Sequence, residues 1–423
     1  MTYSVGQTYF GLCMAANAVA DIQVQAKEPG DQNDLTKYMK IALCGGDLKA
    51  ASATGPFKDW KGPEWVGYFP QQNSTLAGGD WEVVWGPSVY IEHPYKELPK
   101  PHGGYATNSM FVAHSDELAT YVVAIAGTNP KNISDWTEED FDVSAEKTSL
   151  WPPKFPFTVE KHDPIDQTKP QVSGGTALGI SNLLMEMKDP KTRQSVSDFL
   201  KEKKKPTEKL VFTGHSLGGA LSPALAFYLY PDIDSGWAGV EIYPYAGATP
   251  GNAAWIKEFA QTYPHVHDHM NIHDVVPHGW NMMDAIISCT GLQKYDSIFG
   301  VIHGPVGDEI DGLVEKVKKW PEGVDYANIT HDLLGKTDFS DAWGFYSWTD
   351  DATYAPYILK TDPQWQKWPP FTTDNPITDT NPENDATLDK SGAQIGNLIY
   401  ATHIYQYHYI MQVPPVQYLP GIS

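Results

Sequence analysis

The sequence is short of cysteine, of positive charge and of uninterrupted hydrophobic runs, and each shortage removes a class of protein. Its three cysteines, Cys13, Cys44 and Cys289, are odd in number and far apart. They fit neither a disulfide framework nor the paired ligands of a zinc module, and leave room for one bridge at most. Only 30 lysines and arginines stand against 52 aspartates and glutamates, a formal net charge of -22. That field repels phosphate backbones, and no basic stripe overcomes it, so nucleic acid is not an expected partner. The one basic run, Lys201 to Lys205, sits beside Pro206 ahead of a strand and reads as a solvated helix end. Residues Met1 to Ala20 have no basic segment before their apolar part, so no secretory leader is visible. The compartment stays open between secretion after removal of a leader and the cytoplasm. The stretch Leu210 to Pro231 has no Asp, Glu, Lys or Arg and is long enough for a membrane span. Gly214, Gly218, Gly219 and Pro223 punctuate it, which predicts a buried strand, a tight turn and a helix instead, and no transmembrane segment. There is also no internal repeat of fixed period.

What is present is enough apolar residue for a large core: 41% of 423 positions. Glycine (36) and proline (33) gather in long aperiodic stretches, as in a core decorated by ordered loops. One domain over 1–423 is expected, with its core at about 80–278 and 396–415 and two inserts, at 144–173 and 279–395. Sequons at Asn73, Asn132 and Asn328 would matter only in a eukaryotic secretory route.

Strands are predicted over Glu82 to Ile91, Ser109 to Ala113 and Thr120 to Ala126. The last, Thr-Tyr-Val-Val-Ala-Ile-Ala, is apolar on both faces, as a mid-sheet strand covered by helices on each side would be. Further on come a helix from Gly175, a charged helix over roughly Arg193 to Lys203, a strand Lys209 to Thr213 and another helix. A strand Val240 to Tyr245, a helix Ala253 to Ala260 and a strand near Val266 to Ile272 follow. This alternation predicts an α/β fold with a mostly parallel central sheet flanked by helices. In the second insert a helix is expected near Asp308 to Lys319.

Thr213-Gly-His-Ser216-Leu-Gly-Gly219 is G-x-S-x-G between a strand and a helix. A serine on that sharp turn projects its hydroxyl from the top of the sheet, toward the helix N-terminus and the backbone N–H of Leu217. An idle serine in a tight turn is the plain alternative. Taken with Gly214-His-Ser-Leu-Gly-Gly-Ala220, the loop Tyr245-Ala-Gly-Ala-Thr-Pro-Gly-Asn252 resembles the class 3 lipase family of α/β-hydrolases, which includes fungal lipases and related feruloyl esterases. The resemblance runs over roughly 105–280 with a short patch near 400. It implies an α/β-hydrolase fold with a lid and ester hydrolysis through a serine, without cofactor or metal.

A serine hydroxyl needs a histidine to take its proton, and that imidazole needs a carboxylate to fix its tautomer. The fold's chain order is serine, acid, histidine. Asn271-Ile-His-Asp274-Val-Val-Pro277 resembles the family's D-x-V-P segment and makes Asp274 the acid; an Asp capping a turn before Pro277 is the bland reading. Histidines after it are His278, His303, His331, His403 and His408. His278 lies too near Asp274, and His303 and His331 lack context. Thr402-His403-Ile-Tyr-Gln-Tyr407-His408-Tyr-Ile-Met411 resembles a family ending in which the histidine precedes a tyrosine by four residues, which favours His403 and leaves His408 as the alternative.

For the oxyanion, Leu217 N–H supplies one donor. Ala126-Gly127-Thr128 resembles the family's R-G-S/T and nominates Thr128, with Trp136 and Asp140 echoing its W-x-x-D; Ala126 departs from the family's arginine. The first insert carries Trp151, Phe155 and Phe157 among four prolines from Pro152 to Pro164, and is expected either to cover the acyl site at a lipid–water interface or to pack as an ordered surface loop. His265, His267 and His269 alternate, with His273 beyond, but serine chemistry needs no metal and none is expected. The leading expectation is a serine carboxylic ester hydrolase acting on acylglycerol or another long-chain ester. A feruloyl or short-chain carboxylesterase, an acyltransferase and a lipase-like binding module without chemistry are the alternatives.

Overall fold

Strand β3 (Thr120–Ile125) is buried at every position. With a two-residue period, Val122 and Ala124 face one apolar cluster, while Tyr121, Val123 and Ile125 face another. A strand of this kind has to be covered on both sides, and the rest of the chain supplies the two covers. The computed structural model describes residues 3–20, 22–25, 28–51, 57–72, 80–92, 104–128, 142–232, 235–270, 274, 276–277, 279–281, 319–329, 403–404, 406–411 and 413.

The sheet joins β1 (Glu82–Tyr90), β2 (Asn108–Ser115), β3, β6 (Lys209–His215) and β7 (Gly239–Tyr245) in that spatial order. A short second sheet pairs β4 (Ser149–Leu150) with β5 (Gln171–Val172). In the main sheet β1 and β2 form an antiparallel edge against β3, and β3, β6 and β7 run parallel. The segment expected as a strand at Val266 to Ile272 extends the parallel side: His269 bridges Tyr245, and His267 and His269 donate their N–H groups to the carbonyls of Ile242 and Pro244 at 3.0 Å. Residues 271–273 lie outside the described set.

One face of the sheet is covered by α1 (Val5–Ala15), α2 (Asp34–Cys44) and α9 (Gln406–Met411); α3 (Leu48–Ala51) and α4 (Tyr68–Gln72) lie in the same N-terminal region. The other face is covered by α5 (Gly174–Ser181), α6 (Val196–Lys203), α7 (Leu217–Leu229) and α8 (Ala253–Thr262). The core therefore begins far earlier than the expected residue 80. Helix α1 starts with a reciprocal cap between Ser4 and Gln7 and is buried from Thr8 to Ala15. A helix apolar on nearly every side belongs inside a core, which is why its sequence shows no amphipathic stripe.

Helix α6 is the opposite case. Ser195 caps it, Val196, Phe199 and Leu200 point inward, and the basic run ends it in solvent. It begins at Val196 rather than near Arg193, because Arg193 sits at φ 59° with both guanidinium nitrogens on the Asp31 carboxylate at 3.0 Å. The apolar stretch from Leu210 is strand, turn and helix, and no described helix is long and apolar enough to cross a membrane.

Part of the second insert returns to the core. Asp325 accepts from Ala253 N–H at 2.7 Å, Tyr326 donates its hydroxyl to the Val143 carbonyl at 2.9 Å, and Asn328 donates its amide to the Pro277 carbonyl at 2.9 Å. Asn328 is buried, so this sequon lies inside the protein. Asn73, Asn132 and the helix expected before Lys319 fall outside the described residues. Cys13 is buried and free, Cys44 is exposed and free, and Cys289 is likewise not described.

Candidate active site

The G-x-S-x-G turn joins β6 to α7, with Ser216 at φ 59° and ψ -123°. An L-residue in that region is strained by about 1–3 kcal/mol and persists only where its surroundings over-determine it. Here Ser216 N–H donates to the Tyr245 carbonyl at 2.9 Å, and the Ser216 carbonyl accepts from Ala220 at 3.1 Å. Strand and helix run so close that a β-carbon at Gly214 would collide with the Gly218 carbonyl. The Ser216 hydroxyl is buried and has no hydrogen-bond partner among the described residues, and the Thr128 hydroxyl shares both properties. Gly127 brings Thr128 to the turn: a β-carbon there would lie 2.9 Å from Ser216 Cβ and 2.7 Å from the His215 carbonyl. Leu217 opens helix α7, where backbone N–H groups have no partner within the helix.

Asp274 is fully buried, and its Oδ2 receives a hydrogen bond from His403 Nδ1 at 2.7 Å. Its Oδ1 accepts from Val276 N–H at 3.0 Å, so the carboxylate also forms the turn that the bland reading assigned to it. Because a carboxylate only accepts, Nδ1 of His403 carries the proton and Nε2 is left as the basic nitrogen. His403 is buried as well. Its own carbonyl accepts from His215 Nε2 at 2.7 Å, and the two imidazoles stand 4.6 Å apart between centroids. His215 directly precedes Ser216, so the residue that meets Asp274 is tied by its main chain to the serine turn.

His408 does something else. Its Nδ1 donates to the Val413 carbonyl at 2.9 Å, its ring sits 5.0 Å from Phe10, and burial pulls its pKa down to about 4. Asp274 and His403 are thus hydrogen-bonded to each other, Thr128 and Leu217 flank the Ser216 turn through Gly127 and α7, and His408 packs against Phe10. His278, His303, His331, Trp136 and Asp140 lie outside the described residues.

The aromatic residues expected to cover the site are elsewhere. Trp151 stacks on Phe227 at 5.3 Å and meets Trp255 edge-on at 5.7 Å, and Phe155 packs on Tyr228 at 4.9 Å. Phe227 and Tyr228 close the C-terminal end of α7, on the order of 16 Å along the axis from Ser216. Phe157 joins the same cluster, with its N–H on Ser181 Oγ at 3.0 Å. Sequence proximity to Thr128 suggested a cover, but in this structure Trp151, Phe155 and Phe157 pack on the α7 side chains at the far end of that helix from Ser216.

The alternating histidines also acquire a packing explanation. His267 stacks on Tyr243 at 4.2 Å and His269 on Tyr245 at 4.5 Å, one ring per β7 position. Burial brings the pKa of His269 to about 3.

A scan against family models matches residues 122–282 to lipase (class 3). In that segment the chain is similar to the class 3 lipases. Among solved structures, the M37 lipase is 27% identical with a TM-score of 0.51, over 77% of this chain and 83% of that one. The likeness in fold to the M37 lipase thus reaches well beyond the matched segment. The Rhizomucor miehei triacylglyceride lipase is 21% identical over 40% of this chain and 55% of that chain, with a TM-score of 0.29. The lipase of Rhizopus microsporus var. chinensis is 19% identical over 61% and 73%, at 0.31. No curated protein matches. The fold is of the α/β-hydrolase type, with a mixed sheet in which β3, β6 and β7 run parallel.

The contact between His215 and His403 was not visible in the sequence, because 188 residues separate the two in a chain that otherwise marks His215 only as motif filler. Burial, then the nearby His403, hold the His215 pKa well below its ordinary value, so a neutral ring donates from Nε2. Leucine at 215 would leave the His403 carbonyl buried without its donor, which costs about 1–3 kcal/mol. Glutamine, whose amide can donate, is expected to recover part of that loss. Thermal unfolding of the two variants checks the order; equal losses would mean that ring volume, not the hydrogen bond, holds the loop.

Proposed function

We propose that this chain hydrolyses carboxylic esters of lipids through a covalent acyl-serine. The family and the M37 likeness support lipase-type ester hydrolysis. The finer reading rests on one observation, the buried 2.7 Å hydrogen bond between His403 and Asp274 on a loop fastened to the residue before Ser216.

Ser216 Oγ attacks the ester carbonyl while His403 Nε2 takes its proton, and Asp274 holds the ring in the productive tautomer and stabilises the imidazolium. The carbonyl oxygen, now negative, lies against the N–H of Leu217 and the N–H and hydroxyl of Thr128. His403 then gives the proton to the departing alcohol, and a water activated by the same nitrogen releases the acid. The Ser216 hydroxyl, without a hydrogen-bond partner among the described residues, fits a site whose catalytic hydrogen bonds tighten only when substrate is bound.

Labelling tests the nucleophile directly. An alkyl fluorophosphonate incubated with the intact chain is expected to add one phosphonyl group to the peptide containing Ser216 and to abolish release of nitrophenol from p-nitrophenyl butyrate in step. Full labelling at another serine, with ester hydrolysis lost in proportion, would displace Ser216 from the role.

A further inference from the structure

An open cleft of about 790 Å³ lies at the C-terminal end of α7, where three segments meet. The first insert lends it Trp151 and Pro152, α7 lends Phe227 and Tyr228, and α8 lends Lys257, Glu258 and Gln261. Small-molecule sites commonly occupy about 300–1,000 Å³, so the space is ample for a ligand. Phe227 and Tyr228 stand about three turns along the helix from Ser216, and no lining residue belongs to the candidate triad.

Its rings are held in place before any ligand arrives. Trp151 lies flat on Phe227 and edge-on to Trp255, and Phe155 braces Tyr228. Both Trp151 and Tyr228 keep part of their surface in solvent. Helix α8 turns Trp255, Ile256 and Phe259 inward, which leaves Lys257, Glu258 and Gln261 exposed on its outer side. Among the described residues, none of these three side chains, nor the Tyr228 hydroxyl, has a hydrogen bond or an ion pair. The ammonium can donate, the carboxylate can accept, and the amide and the phenol can do both.

That lining discriminates among ligand classes. Lys257 and Glu258 cancel in charge, so an ion of either sign gains little. A plain hydrocarbon would strip water from an ammonium, a carboxylate and an amide and return no hydrogen bond. A pyranose has what both halves of the cleft need: C–H faces for the rings, and hydroxyls that donate and accept for the polar edge. The planes of Trp151 and Tyr228 stand at 86°, with centroids 6.1 Å apart. Perpendicular rings cannot both lie under a flat, ribbon-like chain, but they match one that curves. We propose that this cleft binds a neutral, curved oligosaccharide of the α-linked glucose type. Binding there tethers the chain to saccharide without engaging Ser216, so it does not depend on the reading of that residue as nucleophile.

Isothermal titration of the full chain with maltotetraose is expected to give a dissociation constant of about 1 mM or tighter, and cellotetraose, the flat β-linked isomer, to bind about tenfold more weakly. Trp151→Ala removes one ring and is expected to abolish the binding heat. Since that variant can loosen the insert, Glu258→Ala combined with Gln261→Ala on the exposed side of α8 carries the test in a protein whose helix alanine favours. Its affinity for maltotetraose is expected to fall about tenfold. Hydrolysis of p-nitrophenyl butyrate by this double variant, and by the parent saturated with maltotetraose, is expected to stay unchanged. No binding of maltotetraose up to about 10 mM, cellotetraose bound as tightly, or a double variant that binds like the parent overturns the proposal. So does competitive inhibition of ester hydrolysis by maltotetraose, which would put the sugar at the serine, or phosphocholine bound more tightly than maltotetraose, which would make the cleft an ion site. The titrations need no turnover, so they decide the matter even in a protein whose Ser216 proves idle.

Discussion

Replacing Ser216 with alanine is expected to lower kcat on p-nitrophenyl butyrate by about 10⁶ while leaving the protein at least as stable as before. The loss is large because proton transfer by His403 and orientation by Asp274 serve one oxygen and achieve nothing without it. Stability is kept because that oxygen forms no hydrogen bond among the described residues, so removing it relieves a buried polar atom of its desolvation. Alanine tolerates φ 59° no worse than serine does. Asp274→Asn is expected to cost about 10⁴, since an amide can turn its N–H toward His403 and force the wrong tautomer. The double variant should be no slower than Ser216→Ala alone, because the three groups act as a unit. Activity and thermal unfolding measured on the same preparations check all of this. A Ser216→Ala protein that hydrolyses esters within a factor of ten of the parent, or a double variant a further 10³ slower, would sink the arrangement.

The parts of the molecule that were legible in sequence are those whose physical cause is local. A strand apolar on both faces, two glycines where strand and helix nearly touch, and an acid two residues before Val276-Pro277 each carry their constraint within a few positions. Helix α1 carries no such mark. It is apolar around its whole circumference, so periodicity could not separate it from a leader or a loop, and only the sheet face it fills explains it. The first insert misled for a related reason: aromatics and prolines near an oxyanion residue suit a cover, but whether they pack over the nucleophile or at the far end of α7 depends on ring partners distant in sequence, such as Phe227 and Trp255 for Trp151. The alternating histidines gave a genuine strand signal whose purpose lay in the tyrosines of the neighbouring strand. His215 shows the general limit, since its hydrogen bond to the His403 carbonyl is set by how the far end of the chain returns.

Phe10→Ala is expected to destabilise the fold by about 3–5 kcal/mol and to impair catalysis even where the protein stays folded. Phe10 is fully buried in α1, and its ring centroid lies 5.1 Å from Tyr245, 5.0 Å from His408 and 6.5 Å from both His215 and Tyr407. One side chain therefore touches the strand whose carbonyl holds Ser216, the residue before Ser216, and the helix just after His403. Two polar ties run the same way: Gln7 Nε2 donates to the Met411 carbonyl at 2.7 Å, and Tyr245 donates its hydroxyl to the Gly6 carbonyl at 2.6 Å. Truncation to alanine leaves a cavity whose nearest means of collapse is movement of α9 toward α1, and that movement carries His403 with it. Phe10→Leu, which keeps most of the volume, is expected to cost well under half as much and to leave kcat within a few-fold. Denaturant unfolding gives the stabilities, and kcat measured well below the unfolding temperature separates the two effects. If Phe10→Ala lost the stability but kept full turnover at low temperature, α1 would be a cover for the sheet and nothing more, and the placement of His403 would have to depend on its bonds to Asp274 and His215 alone.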